Sequence, residues 1–130
     1  MVGLLLITHG RLGEVLLETA EQMLGVCPLA AATLAVGREV DPESLERRAR
    51  ALLEGVDRGA GVLVLTDIFG STPANVASRL QGPGVRVVAG LNLPMLIRVL
   101  NYPELGLEEL AAKAESGGRD GVFLCGPGGC

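Results

Sequence analysis

Short apolar runs alternate with amphipathic stretches along this chain, and turn-forming residues separate one from the next. Runs of this length, rich in Val, Ile and Leu, are typical of strands that are covered on both faces. They predict strands at residues 2–7, 29–36, 62–66, 85–89 and 121–125, the second of them rich in Ala. Helical spacing of apolar residues predicts helices at residues 12–24, 42–59, 73–80, 94–100 and 107–115. The alternation of the two signals indicates βαβ units and an α/β fold.

Capping and stop signals give the expected ends of several helices. Asp41 before Pro42 is typical of an N-cap followed by proline at the first helical position, and Thr72 is the expected N-cap of the next helix. Gly25 is the predicted stop of the first helix, and the glycine pair at 117–118 that of the last.

Length and composition exclude several classes of protein. A chain of 130 residues fits one domain, which we expect to span residues 1–130 around a single core. Apolar residues at 48% and charged residues at 20% are typical of a globular chain. The net charge of −4, with one Tyr, two Phe and no Trp, argues against a nucleic-acid surface, which needs basic residues and stacking platforms.

Membrane and redox features are weak in this sequence. The first apolar run is too short for a membrane span and no basic segment precedes it, so we expect a cytoplasmic protein without a signal peptide. Cys27, Cys125 and Cys130 contain no C-x-x-C pair and are expected to be free thiols. We expect no metal and no cofactor, because the one histidine is distant in sequence from the cysteines.

The single histidine, His9, lies two residues after the end of the first predicted strand. Open parallel sheets bind ligands outside the carboxyl ends of their strands, so His9 is expected to face the crevice where such sites lie. Gly10 removes side-chain bulk from the same corner. The alternative is a structural histidine whose hydrogen bonds are satisfied within the fold. Placement at a strand end favours a functional site.

Asp67 occupies the matching corner, directly after the third predicted strand. It is the only acidic residue at a predicted strand end, although a turn aspartate that caps backbone amides is the alternative. A carboxylate bonded to one ring N–H fixes the histidine tautomer and leaves the other nitrogen with a lone pair. We therefore predict that His9 and Asp67 form a pair in which Asp67 orients the ring.

The segment that follows, residues 70–75, has two hydroxyls, no bulky side chain and the start of a helix. Backbone N–H groups at a helix N-terminus suit a phosphate dianion, so Ser71 and Thr72 are candidate phosphate-binding residues. An ordinary capped helix start is the alternative. Together with the His9–Asp67 pair, this segment favours a histidine that carries a phosphoryl group, a reaction that needs little beyond in-line positioning.

Other phosphate and nucleophile chemistries lack their residues. There is no G-x-x-x-x-G-K-[ST] motif and no G-x-G-x-x-G after the first strand. A response-regulator receiver would need acidic residues at the first strand end and a lysine at a later one, whereas Lys113 lies in a helix. A hydrolase with Ser71 or Ser78 as nucleophile stays a lesser alternative, because no G-x-S-x-G motif is present.

Three segments resemble the enzyme IIA component of the mannose-class phosphoenolpyruvate-dependent sugar phosphotransferase system. They are ITHG at residues 7–10, TDIFGSTPAN at 66–75 and GLNLPML at 90–96. The resemblance implies a doubly wound open sheet of four parallel strands with helices on both faces. It also implies an antiparallel strand, here residues 121–125, that is exchanged between the subunits of a homodimer.

The same resemblance implies a phosphotransferase in which His9 accepts phosphate from the phosphocarrier HPr and passes it to an enzyme IIB partner. Asp67 then orients His9. Ser71 stands where the family has a second glycine, while Thr72 keeps the hydroxyl that precedes the proline. Since no IIB domain follows in this sequence, the acceptor is expected to be a separate protein. The alternative is a regulatory module whose phosphorylation controls partner binding without a role in transport.

Overall fold

The computed structural model describes residues 1–38 and 41–130, in which four strands alternate with four helices and a fifth helix follows the fourth. The strands are β1 (Gly3–His9), β2 (Ala31–Val36), β3 (Val62–Thr66) and β4 (Val85–Ala89). The helices are α1 (Leu12–Leu24), α2 (Pro42–Val56), α3 (Thr72–Arg79), α4 (Leu93–Leu100) and α5 (Leu107–Asp120). The predicted α/β class is confirmed.

All four strands are parallel, in the order β2-β1-β3-β4. β1 and β3 are therefore the two central strands and lie side by side. The helix that follows β1 lies on one face of the sheet, and the helix that follows β3 lies on the other. In open α/β sheets the crevice for ligands lies at such a switch point, beyond the carboxyl ends of the two strands. The residues at the ends of β1 and β3 thus share one crevice.

Two apolar cores cover the two faces of the sheet. Alternate side chains of a strand point to opposite faces, so Leu4 and Leu6 pack with α1, α4 and α5, while Leu5 and Ile7 pack with α2 and α3. All four side chains are fully buried. At about 1.5–3 kcal/mol for each buried leucine or isoleucine, this double burial accounts for the continuous apolar run in β1.

β1 extends two residues beyond its predicted end. Its pairing with β3 stops at Ile7 opposite Thr66, whereas pairing with β2 continues to His9 opposite Val36. His9 is therefore the last strand residue, and its backbone N–H on the β3 side is not used by the ladder. β2 begins at Ala31, two residues later than predicted, and α2 ends at Val56 instead of near residue 59.

The helix starts confirm one predicted cap and correct the other. The Asp41 carboxylate accepts from the Ser44 N–H at 3.1 Å, as expected of the N-cap of α2. Thr72 is not the N-cap of α3. Ser71 has that position, since its backbone is extended and its carbonyl already accepts the first helical bond, from the Asn75 N–H at 2.9 Å.

The glycine pair at 117–118 does not stop α5, which continues to Asp120. A Cβ on Gly117 would lie 2.5 Å from the Cβ of Arg98, and one on Gly118 would lie 2.8 Å from the Cε of Met95. The two glycines therefore allow α5 to pack closely on α4. The Asn92 side chain fixes this contact by donating to the Gly118 carbonyl at 3.0 Å.

The C-terminal tail departs from two predictions. Residues 121–125 form no strand in the single chain, and their exchange between two subunits stays a prediction. Cys125 and Cys130 are not free thiols but are joined by a disulfide, whereas Cys27 is free. A turn of the intervening chain brings the two cysteines together, which a spacing of five residues alone did not reveal.

Candidate active site at the ends of β1 and β3

His9 lies at the carboxyl end of β1 with its side chain 54% exposed. Its ring atom Nδ1 is 2.8 Å from Oδ2 of Asp67, the first residue after β3. The structure thus brings together the two residues that the sequence places at separate strand ends. The contact joins positions far apart in the chain through the neighbouring strands β1 and β3.

Three hydrogen bonds hold the Asp67 carboxylate, whose side chain is only 9% exposed. Oδ2 accepts from the His9 ring and from the His9 backbone N–H at 3.0 Å, while Oδ1 accepts from the Ile68 N–H at 3.1 Å. Burial acts to raise the pKa of Asp67, but the bonds from the His9 side chain and backbone outweigh it and lower that pKa below its ordinary value.

An ionised carboxylate can only accept hydrogen bonds, so the contact at 2.8 Å assigns the proton to Nδ1 of His9. Nε2 then carries the lone pair, on a ring that is about half exposed. Because Asp67 bonds both the ring and the backbone of His9, ring rotation is restricted. The arrangement can present one nucleophilic nitrogen to a protein-borne electrophile.

The turn after His9 is held by two further contacts. The Gly10 N–H donates to the Val36 carbonyl at 3.0 Å, and Gly10 has a φ of 50°, in the left-handed region that favours glycine. The buried Thr8 hydroxyl accepts from the Gly13 N–H at 2.8 Å and so fixes the first turn of α1. Thr8 is not among the residues predicted from the sequence. The signal that could have indicated it is a hydroxyl side chain in an otherwise apolar strand.

The start of α3 borders the same crevice, and the hydroxyls of Ser71 and Thr72 differ there in their hydrogen bonding. The Ser71 hydroxyl donates to the Ile68 carbonyl at 2.7 Å, so its proton is already used. Thr72 is exposed, and its hydroxyl has no partner among residues 1–38 and 41–130. A φ of 79° at Gly70 turns the chain between Asp67 and the helix start. Of the two candidate phosphate-binding hydroxyls, Thr72 is the one free to donate.

Two apolar side chains beside Asp67 point outward. Ile68 is 59% exposed and Phe69 is 88% exposed. Sequence reasoning did not single them out, because an apolar pair in a turn does not by itself show which way its side chains point. Exposed apolar residues next to a reactive group are common in surfaces that bind another protein.

The described ranges contain no group of three His, Cys, Asp or Glu side chains that could hold a metal ion. Within the same residues, no helix has the length and apolar character that crossing a bilayer requires.

Comparison with known proteins relates the chain to one family. Residues 3–115 match the family EIIA-man, described as "PTS system fructose IIA component". The "PTS system mannose-specific EIIAB component" of Escherichia coli K12 is 38% identical over 88% of this chain, and the "PTS system fructose-specific EIIA component" of Bacillus subtilis 168 is 31% identical over 64% of it. The match spans 36% of the E. coli relative and 59% of the B. subtilis one.

A solved structure gives the same result for the fold. The "Mannose/sorbose specific IIA subunit of phosphotransferase system from Enterococcus faecalis" superposes with a TM-score of 0.86 at 33% identity. The superposition covers 96% of this chain and 95% of that one. With a sequence match over residues 3–115 and this agreement of fold, the chain belongs to the EIIA-man family of phosphotransferase-system IIA components.

Proposed function

We propose that the protein is a phosphoryl carrier of a sugar phosphotransferase system, with His9 as the phosphorylated residue. The observation that carries this proposal is the contact of 2.8 Å between Nδ1 of His9 and Asp67, which leaves Nε2 with its lone pair on a half-exposed ring. Family membership supports the same function. The phosphoryl donor is the phosphocarrier HPr, and the acceptor is an enzyme IIB.

In the first transfer, the Nε2 lone pair of His9 attacks the phosphorus of phospho-HPr in line with the bond that breaks. An N–P bond forms at Nε2 while the N–P bond of the donor breaks, and the electron pair of that bond returns to the donor histidine. The His9 ring gains positive charge as the bond forms, because Nδ1 keeps its proton. The Asp67 carboxylate stabilises this charge, and transfer to enzyme IIB reverses the same steps.

The phosphoryl oxygens need donors while charge moves between the two histidines. The free Thr72 hydroxyl and the backbone N–H groups at the start of α3 are suited to this role. Ser71 contributes by holding the turn through its bond to the Ile68 carbonyl, and it donates to phosphate only if that bond opens. Ile68 and Phe69 offer apolar contacts to the docked partner protein.

We further propose that two copies form a homodimer by exchanging residues 121–125. Among the strands of the described residues, β3 is the one neighbour of β4, so the outer edge of β4 is open to a further strand. Gly121 lies against Pro94, after the carboxyl end of β4, so a segment that runs back along β4 from this point is antiparallel to it. A groove of about 580 Å³ between β4 and α5 and the exposed Phe123 and Leu124 favour this exchange.

The dimer is tested by analytical ultracentrifugation of the protein and of a Phe123→Asp variant. We expect a dimer for the parent chain and a weaker dimer for the variant, because a carboxylate cannot be buried against β4 without cost. Met23→Asp, at another exposed apolar residue, is the matched control and leaves the dimer intact. A monomeric parent protein would reject the exchange.

We also propose that residues 1–130 form one domain and that the protein is located in the cytoplasm, where the partner proteins act.

Phosphoryl transfer is tested with phosphoenolpyruvate, enzyme I and HPr. We expect one acid-labile phosphoryl group on the protein, located at His9 by mass spectrometry, and none on His9→Ala. Arg58 is exposed and follows α2, far from the carboxyl ends of the strands, so Arg58→Ala serves as the control and accepts phosphate normally. Labelling of His9→Ala to the level of the parent protein would overturn the assignment. Adding an enzyme IIB then measures release of the group to an acceptor.

A further inference from the structure

The C-terminal tail, residues 121–130, has chemistry that phosphoryl transfer does not use. Cys125 and Cys130 are joined by a disulfide across four intervening residues, Gly-Pro-Gly-Gly. We propose that these two cysteines form a reversible redox site, at which small thiols and disulfides such as glutathione open and close the ring between residues 125 and 130. The proposal does not depend on the proposed function of His9.

The backbone of the tail brings the two cysteines together. The Gly129 N–H donates to the Gly126 carbonyl at 3.0 Å, which closes a turn with Pro127 at its second position. Proline presets the φ that this position requires, and Gly129 has a φ of 97°, which residues other than glycine adopt only at a cost. The Cα atoms of the two cysteines are 5.2 Å apart, within the normal range for a disulfide.

The disulfide does not hold the fold together. In the single chain residues 122–130 are all exposed and contribute to neither apolar core, and in the proposed dimer the ring of residues 125–130 lies at the end of the exchanged segment 121–125 and beyond it. A crosslink stabilises mainly by restricting the unfolded chain, and the restriction is smallest for a short loop such as this one. An exposed disulfide that ties no helix or strand to another is open to exchange with thiols in solution.

Cys27 provides an internal contrast. Its side chain is partly buried, and its Sγ donates to the Leu29 carbonyl at 3.3 Å. Burial raises the pKa of the Cys27 thiol, which lowers the fraction of reactive thiolate. Exchange is therefore expected at residues 125 and 130 and not at residue 27.

Ring closure takes place in two exchange steps. The thiolate of one tail cysteine attacks glutathione disulfide, forming a mixed disulfide and releasing one glutathione thiolate. The second tail cysteine then attacks the protein sulfur of the mixed disulfide and displaces the second glutathione. Two electrons pass from the protein thiols to glutathione disulfide, and the two thiol protons go to the released glutathione thiolates. Excess glutathione reverses both steps.

The test is an anaerobic titration of the reduced full chain in glutathione buffers of increasing oxidised fraction. After an acid quench, all free thiols are alkylated under denaturing conditions and counted by mass spectrometry. We expect two thiols, Cys125 and Cys130, to be lost together without added glutathione mass, while Cys27 stays alkylated. Crosslinked copies or a stable glutathione adduct as the main product would overturn the proposal, as would a ring that excess dithiothreitol leaves closed.

Two glycine variants test whether the turn builds the site. Gly129→Ala places a side chain at the left-handed position and is expected to disfavour ring closure about tenfold in the glutathione equilibrium. Gly128 does not have a positive φ, so Gly128→Ala is the matched control and should shift the equilibrium by less than about twofold. Equal shifts in the two variants would contradict the role of the turn.

Discussion

The Asp67→Ala variant tests most directly how the site works. The substitution removes the acceptor of three hydrogen bonds, from the His9 ring, the His9 backbone N–H and the Ile68 N–H. It also removes the negative charge 2.8 Å from Nδ1. The His9 ring is then free to rotate and to take the other tautomer, in which Nε2 carries the proton and cannot attack phosphorus.

The size of the effect follows from the bond that is lost. A hydrogen bond between charged groups contributes about 1.5–3 kcal/mol, and the pair of His9 and Asp67 gains full charge only as the phosphoryl group arrives. The ring is half exposed, so solvent screening reduces the contribution to the lower part of this range, about 1.5–2 kcal/mol in the transition state. At 1.36 kcal/mol for each factor of ten, we expect transfer to be slower by roughly 10- to 30-fold.

The assay is rapid-quench transfer from radiolabelled phospho-HPr under single-turnover conditions. Asp57→Ala is the matched control, because that carboxylate also accepts from two loop N–H groups, of Gly59 and Gly61, but lies at the opposite end of the sheet. We expect the control to transfer at the parent rate while losing some stability. A folded Asp67→Ala protein, checked by circular dichroism, that transfers within about twofold of the parent would refute the orienting role.

Three further predictions concern stability and are measured by urea unfolding. Thr8→Val leaves a buried N–H of α1 without an acceptor and should lower the free energy of unfolding by about 1–3 kcal/mol; no loss would mean that water replaces the hydroxyl. Gly117→Ala should lower the free energy of unfolding by about 1–2 kcal/mol, because its Cβ overlaps α4. Gly55 lies in α2 with open space around it, so Gly55→Ala should raise the free energy of unfolding by about 0.5 kcal/mol. A change of the same sign in both variants would contradict the packing argument. The pKa of Asp67 is lower in the folded protein than in the unfolded chain, where it is about 3.9. The ionised carboxylate therefore stabilises the fold at pH values above the unfolded-state pKa, and this stabilisation is lost as the pH falls through the folded-state pKa. The stability difference between the parent and Asp67→Asn should therefore shrink below about pH 4, and a difference that does not change with pH would show that ionisation is not its cause.

The local pattern of the sequence was sufficient for the four parallel strands and for the positions of His9 and Asp67. Apolar runs such as residues 62–66 are covered on both faces, and burial of that kind leaves a continuous signal in the sequence. A polar residue at the end of such a run must lie where the strand leaves the core. Parallel strands end at one edge of the sheet, so the sequence predicted that the two residues could meet.

Tertiary structure alone decided the features that depend on a partner from elsewhere in the chain. Glycines at 117–118 look the same in sequence whether they stop a helix or admit a neighbour, and only the approach of Arg98 and Met95 shows the second case. The use of the Ser71 proton by Ile68 depends on a turn whose backbone the sequence does not specify. The disulfide likewise depends on how residues 126–129 turn.

The sequence therefore determined which residues lie at the ends of the strands, because burial acts through the order of apolar and polar residues. It did not determine how those side chains are held. The order β2-β1-β3-β4 makes β1 and β3 neighbours, and the end of their pairing at Ile7 leaves the His9 N–H for Asp67. Hydrogen bonds form over about 3 Å, so only the register of the folded strands could decide them.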